Sequence, residues 1–433
     1  MQSADFLALD EIEALQRERW PAQAAFVADR SPFFQRLWDG KAPPRDLAGL
    51  AELPLSDKAM LRESQARHPP FGDYLAIAPE RVNRVHRTSG TTGQAMNIAL
   101  TQADARQTAL IGARAQRAAG LGPGHRVVHC LNYRLWIGGY TDHASLEATG
   151  ATAIPFGVGA SEQLVRTIRE LAITAISCTP SYPAVLERVI AESFPGLAPR
   201  DLGLELGLFG GEAGLDDPNF RARLEETWGF KARNANYGVS DAFCNFAGQC
   251  VENNDLHFVA LDVLFPELVE PGGTAPRPWR EGEEGELVLT HLAREAQPLV
   301  RFRTGDIVIL TGTGACACGR GAPRFRVIGR ADDMVVVRGV NVFPTAVAAV
   351  VNALPGLSGE YRVALDGPGP YHVLPIEVER AKDARAGETA TAEAIETAIK
   401  RATGASARVT ILAPESLPRS EGKTRRVIRK DRP

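Results

Sequence analysis

The feature that most constrains the fold is an alternation of two sequence patterns between about residues 82 and 300. Segments rich in β-branched residues predict strands at VNRVHRTSG, RVVHCLN, ATAIPFG and AISCTP. Segments with helical periodicity predict helices at ADARQTALIGARAQRAAG and SEQLVRTIRELA. Because parallel neighbours need a crossover connection, this alternation predicts βαβ units and a largely parallel sheet. GEEGELVLTHL and FRTGDIVIL have alternating faces and predict antiparallel strands.

The pattern changes after GRADDMVVVRGVNVFP. Strands are predicted there at YRVALDG, YHVLPIEVER and ARVTILAP, and helices at TAVAAVVNAL and TAEAIETAIKRA. A chain of 433 residues agrees with more than one domain. We therefore expect an α/β protein with a large N-terminal domain (1–331) of mixed, mostly parallel sheets and flanking helices. A small, mobile α+β C-terminal domain (332–433) follows, with the boundary at Ala331–Asp332.

The N-terminal segment predicts a helix over residues 8–38, since Leu9, Ile12 and Leu15 recur at helical spacing. A proline-rich linker separates it from SDKAMLRES, where Ser56 is expected to cap a short helix. The large domain is thus expected to begin with helices before its sheet starts.

Charge and composition exclude several classes of protein. The net charge of −3 gives no reason to expect a polyanion such as a nucleic acid as partner. The first twenty residues lack the apolar core of a signal peptide, and no apolar run is long enough to span a membrane. Six cysteines without an export signal argue against a disulfide framework. The expected location is the cytoplasm.

The segment RTSGTTGQAMNIALT (87–101) predicts an anion-binding loop. Gly90 and Gly93 allow backbone N–H groups to converge on an anion, and Ser89, Thr91 and Thr92 add hydroxyl donors. The β- and γ-phosphates of ATP would suit such a loop. The segment matches neither GxxxxGK[ST] nor GxGxxG, so on its own a polar surface loop remains an equal alternative.

Two downstream segments carry groups that a nucleotide needs. Gly211 and Glu212 follow a predicted strand, at the position where ligands bind in α/β sheets. The segment 236–241 offers Tyr237 to stack on a base and Asp241 as a carboxylate for Mg²⁺.

Two more segments lie near the change of pattern. Asp306 follows a strand pattern, and its carboxylate could accept both ribose hydroxyls. Arg330 and Asp332 stand at the change itself. Each segment alone is a weak signal, because an aspartate after glycine is more often a turn residue.

The order and spacing of these segments resemble the adenylate-forming superfamily of acyl-CoA synthetases, and most closely its phenylacetate-CoA ligase branch. The resemblance covers about residues 10–430 and rests on VHRTSGTTG, GGYTDHASLEATGATAIPFG, ISCTPSY, EGEEGELVLTHLAREAQPLVRFRTGD, IGRADDMVVVRGVNVFP and PRSEGKTRRVI. It implies that a carboxylate attacks the α-phosphate of ATP to form an acyl-adenylate and pyrophosphate. The thiol of CoA then displaces AMP. It also implies Mg²⁺ as cofactor.

The resemblance assigns roles to residues of this sequence. The catalytic residues would be Lys423, which reaches the α-phosphate and the carboxylate, Asp241, which binds Mg²⁺ where the family usually has Glu, and Arg330. Asp332 matches the hinge about which the C-terminal domain rotates. The residues implied to bind ATP are Ser89, Gly90, Thr91, Thr92, Gly93, Gly211, Glu212, Asn236, Tyr237, Gly238 and Asp306. The sequence departs from the family at Gln94-Ala95, where Lys-Pro is usual.

Four residues suggest a metal site. Cys250 and His257 form a C-x6-H pair, and Cys316 and Cys318 form a C-x-C pair. A Cys₃His set suits a structural, tetrahedral Zn²⁺, and some members of the branch carry the same two segments. The alternative is a buried Cys250 and a tight turn at the C-x-C pair. The remaining cysteines, predicted to be core residues, are Cys130, Cys178 and Cys244.

The branch implies an aromatic or arylacetic acid, which needs an apolar pocket with an aromatic wall. The residues expected to line it are Tyr133, Trp136, Ile137, Gly138, Tyr140, Ala235 and Phe243. Core packing is an equal alternative for Trp136 and Tyr140.

The resulting hypothesis is an ATP-dependent aryl-CoA ligase, and a homodimer is common in this branch. Two alternatives stay open. One is an adenylation enzyme that loads a carrier protein or another acceptor, and the other is a catalytically inactive nucleotide-binding regulatory protein. The second alternative is disfavoured because the chain retains Lys423, Asp306, Asp241 and Arg330. The basic C-terminal end would otherwise suggest a solvated or nucleic-acid-binding tail.

Overall fold

The structure is a computed structural model that describes residues 3–88, 95–212, 214–338, 340–367, 371–382, 384, 388–418 and 426–429. Contacts divide the chain into two compact units. The first comprises Met1–Gly211, Glu225–Thr304 and Val308–Arg326, and the second comprises Glu212–Leu224, Gly305–Ile307 and Val327–Pro433.

The helices and strands follow the chain in this order. The helices are α1 (Leu9–Arg30), α2 (Pro32–Leu37), α3 (Lys58–Arg67), α4 (Gln102–Ala118), α5 (Ile137–Ala148), α6 (Ser161–Glu170), α7 (Tyr182–Ser193), α8 (Pro218–Trp228), α9 (Pro344–Ala353) and α10 (Glu388–Thr403). The first ten strands are β1 (Arg84–Arg87), β2 (Asn97–Leu100), β3 (Arg126–His129), β4 (Thr152–Pro155), β5 (Ala175–Cys178), β6 (Leu206–Gly210), β7 (Lys231–Val239), β8 (Phe243–Gln249), β9 (Leu256–Phe258) and β10 (Leu264–Val269). The other strands are β11 (Pro276–Arg277), β12 (Glu284–His291), β13 (Phe302–Gly312), β14 (Arg324–Arg330), β15 (Val335–Val337), β16 (Val340–Val342), β17 (Leu357–Leu365), β18 (Leu374–Arg380), β19 (Ala407–Leu412) and β20 (Val427–Arg429).

The first unit is built on a twelve-stranded mixed sheet in the order β11-β10-β12-β13-β14-β9-β8-β7-β6-β5-β3-β4. Strands β4, β3, β5, β6 and β7 run parallel to one another. Antiparallel pairing begins at β7 with β8, and β10 with β12 is also antiparallel. The α/β prediction is confirmed, because the helical crossovers join the parallel strands as the alternation predicted.

Two local predictions near the N-terminus are wrong. Residues 8–38 form two helices, since Pro32 cannot donate a hydrogen bond back into α1 and instead starts α2, with Ser31 as its N-cap. Asp57, not Ser56, caps α3 by accepting a hydrogen bond from the Met60 amide at 2.9 Å. The Ser56 hydroxyl donates to the carbonyl of Val300 instead.

The second unit contains a four-stranded sheet in the order β19-β18-β17-β20. Its core includes Val347, Ile376, Val378, Ile395 and Ile399, which pack α9 and α10 against β18 and the neighbouring strands. All five elements predicted after residue 344 are therefore present. The role of Ala331–Asp332 as a boundary of motion stays a prediction.

The cysteine predictions are confirmed in part. All six cysteines are free thiols, and Cys130, Cys178 and Cys244 are buried as expected of core residues. Among the described residues, no helix combines the length and the apolar character needed to cross a membrane.

Candidate active site

The predicted phosphate loop joins β1 to β2. Its residues Ser89, Gly90, Thr91, Thr92 and Gly93 lie outside the described residues, as do Gln94 and the C-terminal Lys423. The ends of the loop are described. Strands β1 and β2 pair antiparallel, with Arg87 opposite Asn97, and the Thr88 amide donates to the Met96 carbonyl at 3.0 Å. The loop is thus a connection whose two ends are hydrogen-bonded to each other.

The adjacent ends of β6 and β7 carry the predicted adenine-binding residues. A Cβ at Gly238 would lie 1.9 Å from the carbonyl oxygen of Cys244, so only glycine fits there. Tyr237 packs edge-on against Phe246 and Phe325, with ring centroids 5.2 and 5.4 Å away. Asn236 donates to the carboxylate of Asp142 at 2.5 Å. Two strands and a helix therefore fix this segment.

The turn after β6 carries the two remaining residues of that prediction. Gly211 adopts a positive φ of 80°, a conformation that glycine enters at little cost. Glu212 follows it and is partly buried.

Asp241, the predicted Mg²⁺ ligand, already has a cationic neighbour. The Lys58 ammonium donates to its Oδ2 at 2.8 Å. The Asp241 side chain is 2% exposed and that of Lys58 is 36% exposed. Among the described residues, Oδ1 of Asp241 is buried with no hydrogen-bond partner. Because buried oxygens are usually satisfied, this orphaned atom fits a carboxylate that binds a cation.

Lys58 was missed by the sequence reasoning, although one signal was present. It is the first residue of α3, directly after the N-cap Asp57. The positive end of the helix dipole disfavours a cation at that position. A lysine at this disfavoured position suggests that an acidic partner lies close to it.

In the second unit, Arg330 joins two of the predicted residues. Its guanidinium donates to Asp306 Oδ1 at 2.6 Å and to Asp332 Oδ1 at 2.8 Å. Burial opposes the charge of Arg330, but Asp306, Asp332 and Asp333 outweigh burial and raise its pKa. The predicted ribose carboxylate, phosphate contact and hinge residue are thus one ion-paired group.

Five of the residues expected to line the acid pocket lie in the segment 133–140. The indole of Trp136 lies 3.0 Å from where a Cβ on Gly138 would be, so the glycine makes room for the ring. The Tyr133 hydroxyl lies 3.0 Å from Nδ1 of His143. Tyr140 is half exposed, and the guanidinium of Arg84 lies 4.4 Å from the centre of its ring.

Ile137 and the two pocket residues outside that segment, Ala235 and Phe243, are buried. Ile137 belongs to a cluster with Ile98 and Leu100, and Ala235 belongs to a second cluster of core residues. Phe243 is 1% exposed and meets the ring of His291 edge-on. Contact of these residues with an acid stays a prediction.

Asp142 on α5 was also missed. It is fully buried, with Asn236 donating to Oδ2 and the Cys244 thiol donating to Oδ1 at 3.2 Å. Burial raises its pKa from 3.8 to about 7, and the two hydrogen bonds oppose that rise. The charge of Asp142 is therefore destabilised beside a segment predicted to bind nucleotide. The sequence signal that could have identified Asp142 was an aspartate among the small residues of a predicted helix.

The four predicted metal ligands come together. Cys250, His257, Cys316 and Cys318 place their ligand atoms within 4.8 Å of one another. The sulfurs of Cys250 and Cys316 are 3.8 Å apart, and the sulfur of Cys318 is 3.7 Å from Nε2 of His257. A tetrahedral Zn²⁺ with bonds of about 2.3 Å to sulfur and about 2.0 Å to nitrogen separates its ligands by roughly 3.5 to 3.8 Å. The spacing therefore fits zinc.

His257 is oriented for metal binding. Its Nδ1 lies 3.3 Å from the carbonyl oxygen of Ala322, and a proton on Nδ1 leaves Nε2 free to face the three sulfurs. Burial, together with Arg320 and Arg324, lowers the pKa of His257 to about 4. The imidazole is thus neutral near pH 7, which is the form that binds metal.

Comparisons with known proteins extend over nearly the whole chain. Residues 339–431 match the family of the AMP-binding enzyme C-terminal domain. The chain is 36% identical to the phenylacetate-coenzyme A ligase of Thermus thermophilus, over 97% of this chain and 96% of that protein. It is 34% identical to the phenylacetate-coenzyme A ligase of Escherichia coli, over 97% of this chain and 95% of that protein.

A solved structure is similar as well. The crystal structure of 2-hydroxyisobutyryl-CoA ligase in the postadenylation state, in complex with 2-HIB-AMP, gives a TM-score of 0.88 at 29% identity. The match covers 98% of this chain and 91% of that one.

Proposed function

Since this chain belongs to the phenylacetate-CoA ligase family of adenylate-forming enzymes, we propose that it joins an aryl or arylacetic acid to CoA at the expense of ATP. Acyl-CoA ligation through an adenylate is the activity of the family, and the aromatic acid is the proposed part. The observation that carries the proposal is the match to phenylacetate-coenzyme A ligases over 97% of the chain. Tyr133, Trp136 and Tyr140 in one segment support an aromatic wall for the acid.

The reaction must overcome electrostatic repulsion, because a carboxylate approaches the α-phosphate of a polyanion. Mg²⁺, when bound, neutralises phosphate oxygens as the transition state forms. Asp241 is the proposed ligand, and its orphaned Oδ1 supports that role. Asp306 and Arg330 are proposed to contact the ribose and the phosphate. Lys423 is proposed to reach the α-phosphate from the C-terminal domain, with Asp332 as the hinge.

The proposal is tested by a panel of acids with MgATP, measuring pyrophosphate release with and without CoA. We expect arylacetates or benzoates to release pyrophosphate, and AMP release to require CoA. Pyrophosphate release without any CoA-dependent AMP release would favour a carrier protein as acceptor. No pyrophosphate with any acid would favour the regulatory, catalytically inactive alternative.

A small 2-hydroxy acid is the second candidate substrate, because a solved structure of high similarity holds a 2-hydroxyisobutyryl adenylate. The panel therefore includes 2-hydroxyisobutyrate beside phenylacetate. A kcat/KM for the hydroxy acid above that of every aromatic acid would overturn the aromatic assignment and leave the ligase activity intact.

We further propose that Cys250, His257, Cys316 and Cys318 bind one structural Zn²⁺. The ligand spacing and the orientation of His257 support this. Metal analysis of the purified protein tests it, and about one equivalent of zinc is expected. Retention of less than about half an equivalent after dialysis without chelator would contradict a structural site.

Location and assembly are also proposals. ATP and CoA as substrates support a cytoplasmic location, and the family resemblance suggests a homodimer. Light scattering of the purified protein measures its mass in solution, for which twice the chain mass of 46.6 kDa is expected.

A further inference from the structure

Leu135 has a backbone conformation that a bulky residue rarely adopts. Its φ is 60°, in the left-handed region that favours glycine, and its side chain is 51% exposed. Burial of the leucine therefore does not offset the cost of this conformation. Such residues persist only where the surrounding structure holds them, and they are frequent at functional sites. Leu135 lies between Tyr133 and Trp136, which are proposed to line the acid pocket.

The end of β1 holds this turn. The amide of Arg87 donates to the carbonyl of Leu135 at 2.6 Å, and Arg87 and Trp136 form a parallel bridge. His86 is 4% exposed, and its imidazole hydrogen-bonds the backbone of Leu135. Its Nε2 lies 3.3 Å from the hydroxyl oxygen of Thr141 on α5. His86 thus joins β1, the turn and the helix that follows the turn.

A second histidine, His129 at the end of β3, holds the start of α5. Its side chain is buried, and its Nε2 lies 3.0 Å from the carbonyl oxygen of Gly139 and 3.2 Å from that of Gly138. Burial lowers the pKa of His129 to about 4, so the ring is neutral near pH 7. Since carbonyl oxygens only accept hydrogen bonds, Nε2 carries the proton and Nδ1 accepts from the Ser177 hydroxyl at 3.1 Å. The first turn of α5 is therefore tied to β3 and β5.

The aromatic rings of this segment are placed by the same contacts. The imidazole of His129 meets the ring of Tyr133 edge-on, with centroids 5.5 Å apart. A Cβ at Gly211, directly after β6, would lie 4.0 Å from the indole of Trp136. The indole is therefore at the carboxyl end of the parallel strands, where ligands of α/β proteins bind.

We propose that His86 and His129 are positioning residues that fix the strained turn at Leu135 and thereby set the affinity for the acid. In this role neither histidine contacts the acid. They keep the turn in one conformation, so the rings of Tyr133 and Trp136 need no reordering when the acid binds. Preorganisation of this kind raises the affinity for the ligand that the turn contacts. This inference rests on the proposed acid pocket and the proposed ligase activity.

Leu135→Gly tests the strained turn. Glycine adopts a positive φ at little cost but also permits other conformations, so the turn should lose its single arrangement. The KM of the preferred acid should rise about tenfold, and the KM of ATP should change by less than about twofold. Ala172→Gly is the matched control, because Ala172 also has a positive φ, of 45°, in the turn between α6 and β5. It should leave both KM values within about twofold of the wild type.

His86→Phe keeps an aromatic ring and removes the hydrogen bonds of the imidazole. The KM of the acid should again rise about tenfold with little change for ATP, and His86→Gln, which can donate and accept, should restore most of the loss. His125→Phe is the matched control, because Nδ1 of His125 lies 3.3 Å from the carbonyl oxygen of Gly122 in the turn at the opposite end of β3. A role in stability alone would lower kcat through the active fraction and leave both KM values unchanged.

Steady-state kinetics of the full chain measure this split, with pyrophosphate release as the readout and the acid and MgATP varied in turn. Equal changes of the two KM values, or an unchanged KM of the acid in Leu135→Gly, would overturn the positioning role. If His86→Phe is too unstable to purify, Leu135→Gly decides alone, since its site is half exposed. If the wild type releases no pyrophosphate with any acid, the proposed function fails and this inference fails with it.

Discussion

The first unit contains two polar clusters that differ in whether a cationic side chain is one of their members. The cysteine cluster (Cys250, His257, Cys316 and Cys318) brings four donor atoms together, and none of the four side chains is a permanent cation. Burial and the neighbouring Cys318 raise the pKa of Cys250 to about 12, whereas at Cys318 hydrogen bonds from Arg320, Cys316 and Cys250 outweigh burial and lower the pKa. The Lys58–Asp241 pair holds both charges within 2.8 Å of each other.

The difference predicts how each cluster responds to a cation. Metal binding at the cysteine cluster breaks no ion pair between its four ligands, so we expect it to add directly to the stability of the fold. At the Lys58–Asp241 pair, a metal would have to compete with an ammonium that already neutralises the carboxylate. A preassembled set of sulfur and nitrogen donors suits a structural ion, and a carboxylate already neutralised by a lysine suits a ligand that binds and dissociates.

The largest expected effect is at the cysteine cluster. Cys318→Ser should lower bound zinc from about one equivalent to under a tenth, and lower Tm by about 10 °C, because several kcal/mol of metal-binding free energy are lost. Metal analysis and calorimetry measure both. Cys178→Ser, at a buried cysteine outside the cluster, should keep its zinc. Equal loss of zinc in Cys318→Ser and Cys178→Ser would contradict the assignment of the cysteine cluster as the zinc site.

The next effect is at Asp241. Asp241→Asn should lower kcat for pyrophosphate release by about 10²- to 10³-fold, because the proposed metal ligand is lost and Lys58 is left unneutralised. Asp241→Glu should recover part of the rate at raised Mg²⁺. The control is Asp29→Asn, at an exposed aspartate of α1. A rate within about threefold of the wild type would show that Asp241 does not hold the metal.

The third effect compares a buried carboxylate without a cationic partner with one that has such a partner. Among the residues that the structure describes, Asp142 has no cationic partner, and its pKa in the folded protein is about 7, well above 3.8. A raised pKa means that its contribution to stability is present below about pH 4 and is lost as the pH rises through 7. Relative to wild type, Asp142→Asn should therefore gain about 2–3 kcal/mol in unfolding free energy between pH 5 and pH 8.

Asp104 is the matched control for that measurement. Burial opposes its charge, but Arg294 and the backbone amides of Glu295, Thr101 and Ala296 outweigh burial and lower its pKa. Its contribution is present above about pH 4 and is lost only on further acidification. Asp104→Asn should thus destabilise the protein by an amount that does not change between pH 5 and 8. Denaturant unfolding at several pH values measures the unfolding free energy of both variants. If that free energy, relative to the wild type, changed with pH in the same way in Asp142→Asn and Asp104→Asn, burial without a cation would not have the expected effect.

The smallest effect is expected in the phosphate loop. Gln94→Lys should lower the Michaelis constant of ATP by about threefold to tenfold and leave that of the acid unchanged, because it restores the lysine that the family usually has in this predicted phosphate loop. A shift in acid preference with unchanged ATP kinetics would mean that Gln94 lies beside the acid.

Much of the fold was predictable because it depends on local periodicity. The runs around Val127 and Ile176 indicated buried parallel strands, and the change of pattern after residue 330 indicated the second α+β sheet. The cysteine cluster was predictable from residue type, since few roles other than zinc binding bring three cysteines and one histidine together. The helix break at Ser31 was readable from Pro32 but was missed in a longer apolar pattern.

The sequence by itself therefore determined the fold class, the family and the types of side chain that the chemistry requires. Only the tertiary structure decided which charges neutralise each other. Lys58 and Asp241 are 183 residues apart, and Asp142 and Asn236 are 94 apart. Folding brings the segment before β8 next to α3 and brings β7 next to α5, so these residues meet. Periodicity has no information at that range, and a carboxylate's charge depends on its nearest neighbours in space.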